Sequence, residues 1–177
     1  MNSKGQAWYA DFAIGLLLFF FTLVIYIGYN DNFQKQSMGE LNDMITDARA
    51  VSSSLVLSGY PSDWNSSTVV RIGISDDQRL NATKLLRFSA LNYTLTKRIF
   101  ATPYEYFVFF ANNKGEVLNV SGVCGVGSPL VNVSYGAVQG TCNPINLTGI
   151  SLKNVVKTER YLVYNSSVAK MGVYLWQ

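Results

Sequence analysis

Apolar and polar positions divide the chain into an uncharged stretch near the N-terminus and a longer region of mixed polarity. The uncharged stretch runs from Phe12 to Tyr29, eighteen residues in all. As an α-helix it would be about 27 Å long, close to the hydrocarbon thickness of a bilayer, about 30 Å. The pattern therefore predicts a membrane-spanning helix.

A second helical pattern follows the predicted span. Its apolar residues recur at near-helical spacing, with charged residues on the other faces. They are Phe33, Leu41, Ile45, Ala48, Val51 and Leu55. Gly59 and Pro61 predict the end of this helix, because glycine can adopt a left-handed cap and proline cannot extend a helix. The pattern fits either one helix from Gln6 to Ser58 or two helices with a hinge near residues 28–32.

From residue 60 onward the pattern is that of a domain with both helices and strands. Alternating residues predict a strand at Thr68–Ile74, and helical periodicity predicts a helix at Thr83–Phe100. Near the C-terminus, Val155–Tyr164 and Val168–Trp176 predict a hairpin around a turn at Asn165–Ser167. Residues 121–148 are rich in Gly, Pro, Asn and Val without clear periodicity, which predicts a long loop.

The strongest hairpin signal begins with an aromatic segment, Tyr104–Ala111. Asn112–Gly115 provides turn residues, and Glu116–Val120 predicts the returning strand. Both alternating faces of the first segment are largely apolar. We interpret it as a central strand covered on both sides. The alternative is an exposed aromatic face that contacts a neighbouring subunit.

These elements together predict the α+β class. A long N-terminal helix would pack on an antiparallel β-sheet of four or five strands. We expect an amphipathic stalk helix at residues 30–59 and a single head domain at residues 60–177. Apolar residues make up 49% of the chain and aromatic residues 14%, enough for a core in a domain of that size.

The residues before the apolar run are unusual for a secretory signal. Lys4, Gly5 and Gln6 stand before the run, whereas a secretory signal has its cleavage site after it. This arrangement resembles the class III signal peptide of archaeal type IV pilins and archaellins. The resemblance implies a leader of residues 1–5, removed by a prepilin peptidase so that Gln6 becomes the N-terminus. Residues 6–29 would then be kept, first as a membrane span and later in a filament core.

The resemblance covers about the first thirty residues and has one departure. Many bacterial pilins carry Glu at the fifth mature position, whereas the acid here is Asp11, at the sixth; archaeal relatives often lack it. By resemblance, Asp11 would pair with the amine of Gln6 on a neighbouring subunit, while Phe12 and the Phe19–Phe21 run would pack between subunits. The alternative is a single-pass anchor that is never cut.

Glycosylation motifs indicate where the rest of the chain is located. Lys4 before the span favours a cytoplasmic N-terminus, which places the later residues outside. Seven Asn-X-Ser/Thr acceptor motifs occur, at Asn65, Asn81, Asn92, Asn119, Asn132, Asn146 and Asn165. With 15 Asn and 27 Ser or Thr among 177 residues, chance placement would give about 2.3. The alternative is a surface rich in these residues that carries no sugar. Only Asn65 follows an acid at the position that bacterial transferases prefer, so the set suits an archaeal or eukaryal system better.

The two cysteines support the same location. Cys124 and Cys142 lie far beyond the span and belong to no Cys-x-x-Cys pair. In an oxidising compartment they would form a disulfide that stabilises the fold by about 3 kcal/mol. Two buried free thiols are the alternative.

Composition leaves little room for catalysis. The chain has no His, which removes the usual general base and the commonest metal ligand. Its acids are scattered; the one adjacent pair, Asp76 and Asp77, is predicted to cap the helix that follows. The net charge of +3 is dispersed, so no nucleic-acid surface is indicated. We therefore expect neither an enzyme nor a cofactor or metal site.

The leading functional hypothesis is a structural subunit of an archaeal type IV pilus-like filament at the cell surface, either a pilin or a minor pilin. Expected partners are copies of the same chain, the prepilin peptidase and pilus assembly machinery, membrane lipid before assembly, and N-linked glycans. Adhesion to surfaces or cells would be its role. The alternative is a single-pass extracellular glycoprotein for adhesion or ligand binding that never polymerises.

Overall fold

The N-terminal part of the chain is one helix. The computed structural model describes residues 3–136, 140–147, 150 and 152–177, and only the backbone of residues 3–9 and 30–38. The chain divides into two compact units, Met1–Asn42 and Asp43–Gln177. Helix α1 (Ser3–Leu55) contributes to both, and its helical backbone continues through residues 28–32. Of the two alternatives that the sequence left open, one continuous helix is the one observed.

Helix α1 ends close to where Gly59 and Pro61 predict. Gly59 has a φ of +81°, in the left-handed region that favours glycine. A Cβ atom at Gly59 would lie 2.6 Å from the ring of Trp64 and 2.8 Å from the carbonyl oxygen of Arg71. The chain can turn tightly here only because this residue has no side chain.

The strand predicted at residues 68–74 is not formed. This segment instead runs to the C-terminal end of α1, where the N–H of Ile74 donates to the carbonyl oxygen of Leu55 at 2.9 Å. The N–H of Ser75 donates to the carbonyl oxygen of Leu57 at 3.2 Å. The last carbonyl groups of a helix have no partner within the helix. The segment therefore bonds to the helix end rather than to a neighbouring strand.

The helix predicted at residues 83–100 is divided in two. Helix α2 covers Ala82–Ser89 and helix α3 covers Tyr93–Phe100. Asn92 begins α3, because its Oδ1 accepts hydrogen bonds from the first free N–H groups of that helix. Asn81 begins α2 in the same way, so Asn81 rather than the Asp76–Asp77 pair caps this helix.

The second unit contains a six-stranded sheet. Its strands are β1 (Ser75–Asp76), β2 (Arg79–Leu80), β3 (Glu105–Ala111), β4 (Val126–Gly127), β5 (Val155–Tyr164) and β6 (Ser167–Trp176). They lie in the order β1-β2-β5-β6-β3-β4. All neighbours are antiparallel except β2 and β5, which are parallel and pair through Arg79 and Val163. The α+β class is confirmed, but the sheet is mixed rather than purely antiparallel.

The C-terminal hairpin of β5 and β6 is confirmed, with a tighter turn than predicted. Tyr164 pairs with Ser167, so the turn has two central residues, Asn165 and Ser166. Both have positive φ, +47° and +60°, as in the two-residue turns that match strand twist. The hairpin predicted after β3 is only partly formed: Ala111 pairs with Val117 in a single bridge. On the opposite edge, all seven residues of β3 pair with β6.

Strand β3 is buried on both faces, as the first interpretation predicts. Its residues Tyr106, Val108 and Phe110 share a core with the end of α1 and with β6. Phe107 and Phe109 share a second core with Trp176 and with residues of the loop that contains the two cysteines. The alternative, an exposed aromatic face on this strand, is wrong because Phe107 is 2% and Phe109 7% exposed.

Candidate functional site

The apolar part of α1 is exposed along its length. Ala10–Tyr29 has a mean hydropathy of 2.3, and none of its described side chains is buried. The consecutive rings of Phe19, Phe20 and Phe21 are 55–63% exposed. The hydroxyl of Thr22 donates to the carbonyl oxygen of Phe19 at 2.9 Å, which satisfies a polar group within the helix. This helix is long and apolar enough to be a membrane anchor or a signal.

The predicted processing and assembly residues lie at the start of this helix. Lys4, Gly5 and Gln6 have helical backbone, but their side chains lie outside the described residues. Asp11 and Phe12 follow in the same helix and are both exposed. The acid therefore lies at the N-terminal edge of the apolar surface.

The seven acceptor asparagines lie at or near the surface of the second unit. Five are exposed: Asn65, Asn92, Asn132, Asn146 and Asn165. Asn81 and Asn119 are half-buried. Thr148, the third residue of the motif at Asn146, lies outside the described residues. By exposure alone, five of the seven asparagines are accessible to a transferase.

The asparagines also differ in whether the side-chain amide nitrogen is hydrogen-bonded. This matters because the sugar is attached to that nitrogen. At Asn65, Oδ1 accepts from the N–H and the hydroxyl of Ser67 at 2.9 and 2.7 Å, and the amide nitrogen takes no part in these bonds. At Asn81, the amide nitrogen donates to Asp76 Oδ2 at 2.8 Å. The exposed Asn65 thus bonds through its oxygen, whereas Asn81 uses its amide nitrogen in a bond within the fold.

The bond at Asn81 belongs to a polar network around a buried lysine. Lys84 Nζ donates to Asp76 Oδ1 at 2.5 Å and to the carbonyl oxygen of Ser58 at 2.9 Å. The hydrogen bonds from Lys84 and Asn81 lower the pKa of Asp76. The network joins the start of α2 to the segment just after α1. Asn81 as a preferred first residue of a helix is the one local sign of this network in the sequence.

The disulfide predicted between Cys124 and Cys142 is confirmed. Their Cα atoms are 5.7 Å apart and they are separated by 18 residues. Both are buried in the core that includes Phe107, Phe109 and Trp176. The bond therefore holds the loop over the face of the sheet that carries Phe107, Phe109 and Trp176. A disulfide fits an extracellular location.

A cavity of about 420 Å³ lies between this loop and the sheet. The rings of Phe109 and Tyr174 are stacked in its wall, with centroids 5.4 Å apart. Lys157 Nζ lies 5.6 Å from the Tyr174 centroid and 2.7 Å from Glu159 Oε1. Glu159 offsets the charge of Lys157, and the two stacked rings give this wall of the cavity an aromatic character.

A carboxylate cluster joins α3, β3 and the loop after β4. Glu105 accepts hydrogen bonds from Lys97 Nζ at 2.9 Å, from the Tyr93 hydroxyl at 2.8 Å and from the Ser128 hydroxyl at 2.8 Å. Burial opposes ionisation, but these three donors together lower the pKa of Glu105. Burial, as the largest cause, raises the pKa of Tyr93. Tyr93, Lys97 and Ser128 all donate to the same carboxylate, so the cluster holds α3, β3 and the loop together.

Metal ligands are not grouped in the part of the chain that the structure describes: it contains no cluster of three or more His, Cys, Asp or Glu side chains. Comparison of the chain with protein-family models, with curated proteins and with solved structures finds no match. Function is therefore argued from the chemistry of this chain alone.

Proposed function

We propose that this chain is a structural subunit, either a pilin or a minor pilin, of an archaeal type IV pilus-like filament at the cell surface. The observation that carries the proposal is the exposed apolar helix Ala10–Tyr29, which follows Lys4, Gly5 and Gln6 after three intervening residues. Cutting before Gln6 would leave this helix on the mature protein. The second unit, with its disulfide and exposed acceptor asparagines, would then be the extracellular head.

Assembly would use the apolar helix as the contact between subunits. Phe19, Phe20 and Phe21 point about 100° apart around an α-helix, so their exposure leaves no polar face on this turn. In the membrane such a helix is in contact with lipid tails. In a filament the same side chains would pack against copies of themselves, and this packing would replace the lipid contacts. The pilin lollipop, with the helix as its stalk, belongs to this proposal.

Asp11 would set the axial position of one subunit against the next. An exposed carboxylate at the edge of an apolar surface is costly to bury unless a positive group meets it. The amine that cleavage would create at Gln6 is such a group. A charge-assisted hydrogen bond of this kind contributes about 1.5–3 kcal/mol.

The Asp11→Asn variant tests this pairing. We expect filament yield to fall at least about tenfold, since a loss of about 1.4 kcal/mol at each interface is a tenfold change in the association constant. Membrane insertion, measured by carbonate extraction, should stay normal. Asp77→Asn is the matched control, because Asp77 is exposed in the head and its positive φ of +45° suits asparagine. Normal filaments from Asp11→Asn would remove the pairing.

Mass spectrometry of the native N-terminus tests the proposal as a whole. A chain that begins at Gln6, recovered from filaments seen by electron microscopy, is the expected result. A chain that keeps Met1 and remains in the cell envelope without filaments would refute the filament proposal. The single-pass glycoprotein would then be the description to adopt.

A further inference from the structure

Two acceptor asparagines that are distant in the sequence lie on one groove. The groove has a volume of about 310 Å³, at the lower end of the range of about 300–1,000 Å³ for small-molecule clefts. One wall is the end of the β5–β6 hairpin and includes Asn165 and Val168. The other wall lies near the turn after β3 and includes Leu118 and Asn119.

The lining of the groove has the mixed character that a sugar requires. Val168 is 59% exposed, and Tyr164 and Leu118 are half-buried, so apolar surface is available to the C–H faces of a sugar ring. The side chains of Asn112 and Ser167 add polar groups at the same surface. Exposed apolar surface beside polar groups is typical of a place that another molecule covers.

The two acceptor asparagines in the groove differ in accessibility. Asn165 is exposed at the tip of the hairpin with a φ of +47°, a conformation that asparagine tolerates. Asn119 is half-buried, and its Oδ1 accepts a hydrogen bond from the N–H of Gly122 at 2.7 Å. Its backbone N–H donates to the carbonyl oxygen of Gly140 at 2.9 Å. These bonds hold Asn119 in the wall without engaging its amide nitrogen, so the difference between the two asparagines is burial: Asn165 is exposed to a transferase and Asn119 is partly covered.

We infer that the groove holds the first sugar of an N-linked glycan on Asn165, and that Asn119 stays unmodified as one of its walls. The sugar would lie against Val168 and Tyr164, with the amide of Asn119 as a hydrogen-bond donor to its hydroxyl groups. The inference rests on the proposed function only in taking the head as extracellular. One groove of this size has room for one such sugar, so a second glycan on Asn119 would be excluded.

Attachment follows the usual chemistry of asparagine glycosylation. The amide nitrogen of Asn165 forms a bond to the anomeric carbon of an oligosaccharide carried on a polyprenyl phosphate or diphosphate. The bond between that carbon and the phosphate oxygen breaks, the phosphate leaves with its electron pair, and the nitrogen loses one proton. A host transferase catalyses the step, so nothing in this chain needs to act as a base.

Glycopeptide mass spectrometry of the full-length native protein is the first test. We expect a glycan on Asn165 and none on Asn119. An unmodified Asn165 overturns the inference, and so does a glycan on Asn119. Filament formation is scored separately by electron microscopy, so a failure here can be distinguished from a failure of the proposed function.

The Val168→Ser variant tests whether the glycan lies in the groove. It keeps the Asn165 acceptor motif and removes part of the apolar wall. We expect the variant to lower Tm more in protein from the native host than in protein from a host without N-glycosylation. Val70→Ser is the control, since Val70 is 66% exposed and outside this groove, and it should shift Tm equally in both hosts. An equal shift for Val168→Ser in the two hosts would refute a glycan in the groove.

Discussion

Removal of the disulfide should weaken the head by a predictable amount. Replacing Cys124 and Cys142 with Ala opens a loop closed by residues 18 apart in the sequence. The loop-closure entropy that returns to the unfolded chain corresponds to about 3 kcal/mol. Domains of this size are stable by about 5–15 kcal/mol, so the variant should still fold. We expect its Tm to fall by roughly 10 °C.

The position of the loop predicts that removal of the disulfide also lowers the local stability of the loop. Phe107, Phe109 and Trp176 are 1–7% exposed under cover that includes this loop. Without the disulfide, the loop can open before the rest of the head unfolds, because local opening costs less than global unfolding. Amide hydrogen exchange in the loop should therefore become faster in the variant, while exchange in the β5–β6 hairpin changes less.

Urea unfolding of the full chain in detergent measures the effect. Fluorescence reports it through Trp64 and Trp176, which are buried in the two cores. Reduction of the wild type with dithiothreitol should reproduce the lower midpoint, and the same reagent should leave the double variant unchanged. The reasoning is refuted if the double variant unfolds at the urea concentration of the wild type.

Two further predictions concern single residues of the head. Because the pKa of Glu105 is lowered in the folded state, its ionised form stabilises the fold above its ordinary pKa of 4.5, and this stability is lost as the pH falls through the lowered value. Glu105→Gln should cost about 1 kcal/mol at neutral pH and reduce the loss of stability below about pH 5 in urea titrations; an unchanged acid slope would contradict this. At Gly73 a Cβ would lie 2.2 Å from backbone atoms of Leu57 and Gly59, so Gly73→Ala should cost at least about 2 kcal/mol in the same assay. Gly39→Ala, where no atom lies within 4 Å of the added Cβ, should leave the unfolding of the head unchanged, and equal effects of the two variants would disprove the close approach.

Features with a local physical cause could be predicted from the sequence. Hydropathy alone identifies the apolar stretch of α1, and the conformational freedom of Gly59 places the end of α1 within a few residues. The C-terminal hairpin follows from two strand patterns on either side of a short polar turn, and in β6 the alternate residues Ala169, Met171 and Val173 are buried. In each case the residues themselves determine the outcome, so distant parts of the chain do not change it.

Features decided by competition between distant partners could not be predicted. Ile74 is buried, as alternation requires, but its N–H bonds to the end of α1, and no local pattern reveals that partner. Residues Glu116–Val120 do not continue as a strand beside β3, because β4 pairs with Phe107 and Val108 on the same edge of β3. Of the candidate site, the apolar stretch of α1 follows from hydropathy, whereas its exposure and the groove beside Asn165 depend on how the chain folds.

Two of the seven acceptor motifs have a second explanation, because their asparagines also cap helices. Asn81 and Asn92 each begin a helix, and Asn-x-Thr at a helix start also reads as a glycosylation motif. Capping uses the side-chain oxygen, whereas a sugar needs the nitrogen. At Asn92 the two roles are compatible, because Thr94 and Leu95 N–H groups bond the oxygen. At Asn81 they conflict, because the nitrogen is bonded to Asp76. Without the two capping motifs, five remain of seven, still about twice the 2.3 that chance predicts, so the excess that favours an extracellular head does not depend on them.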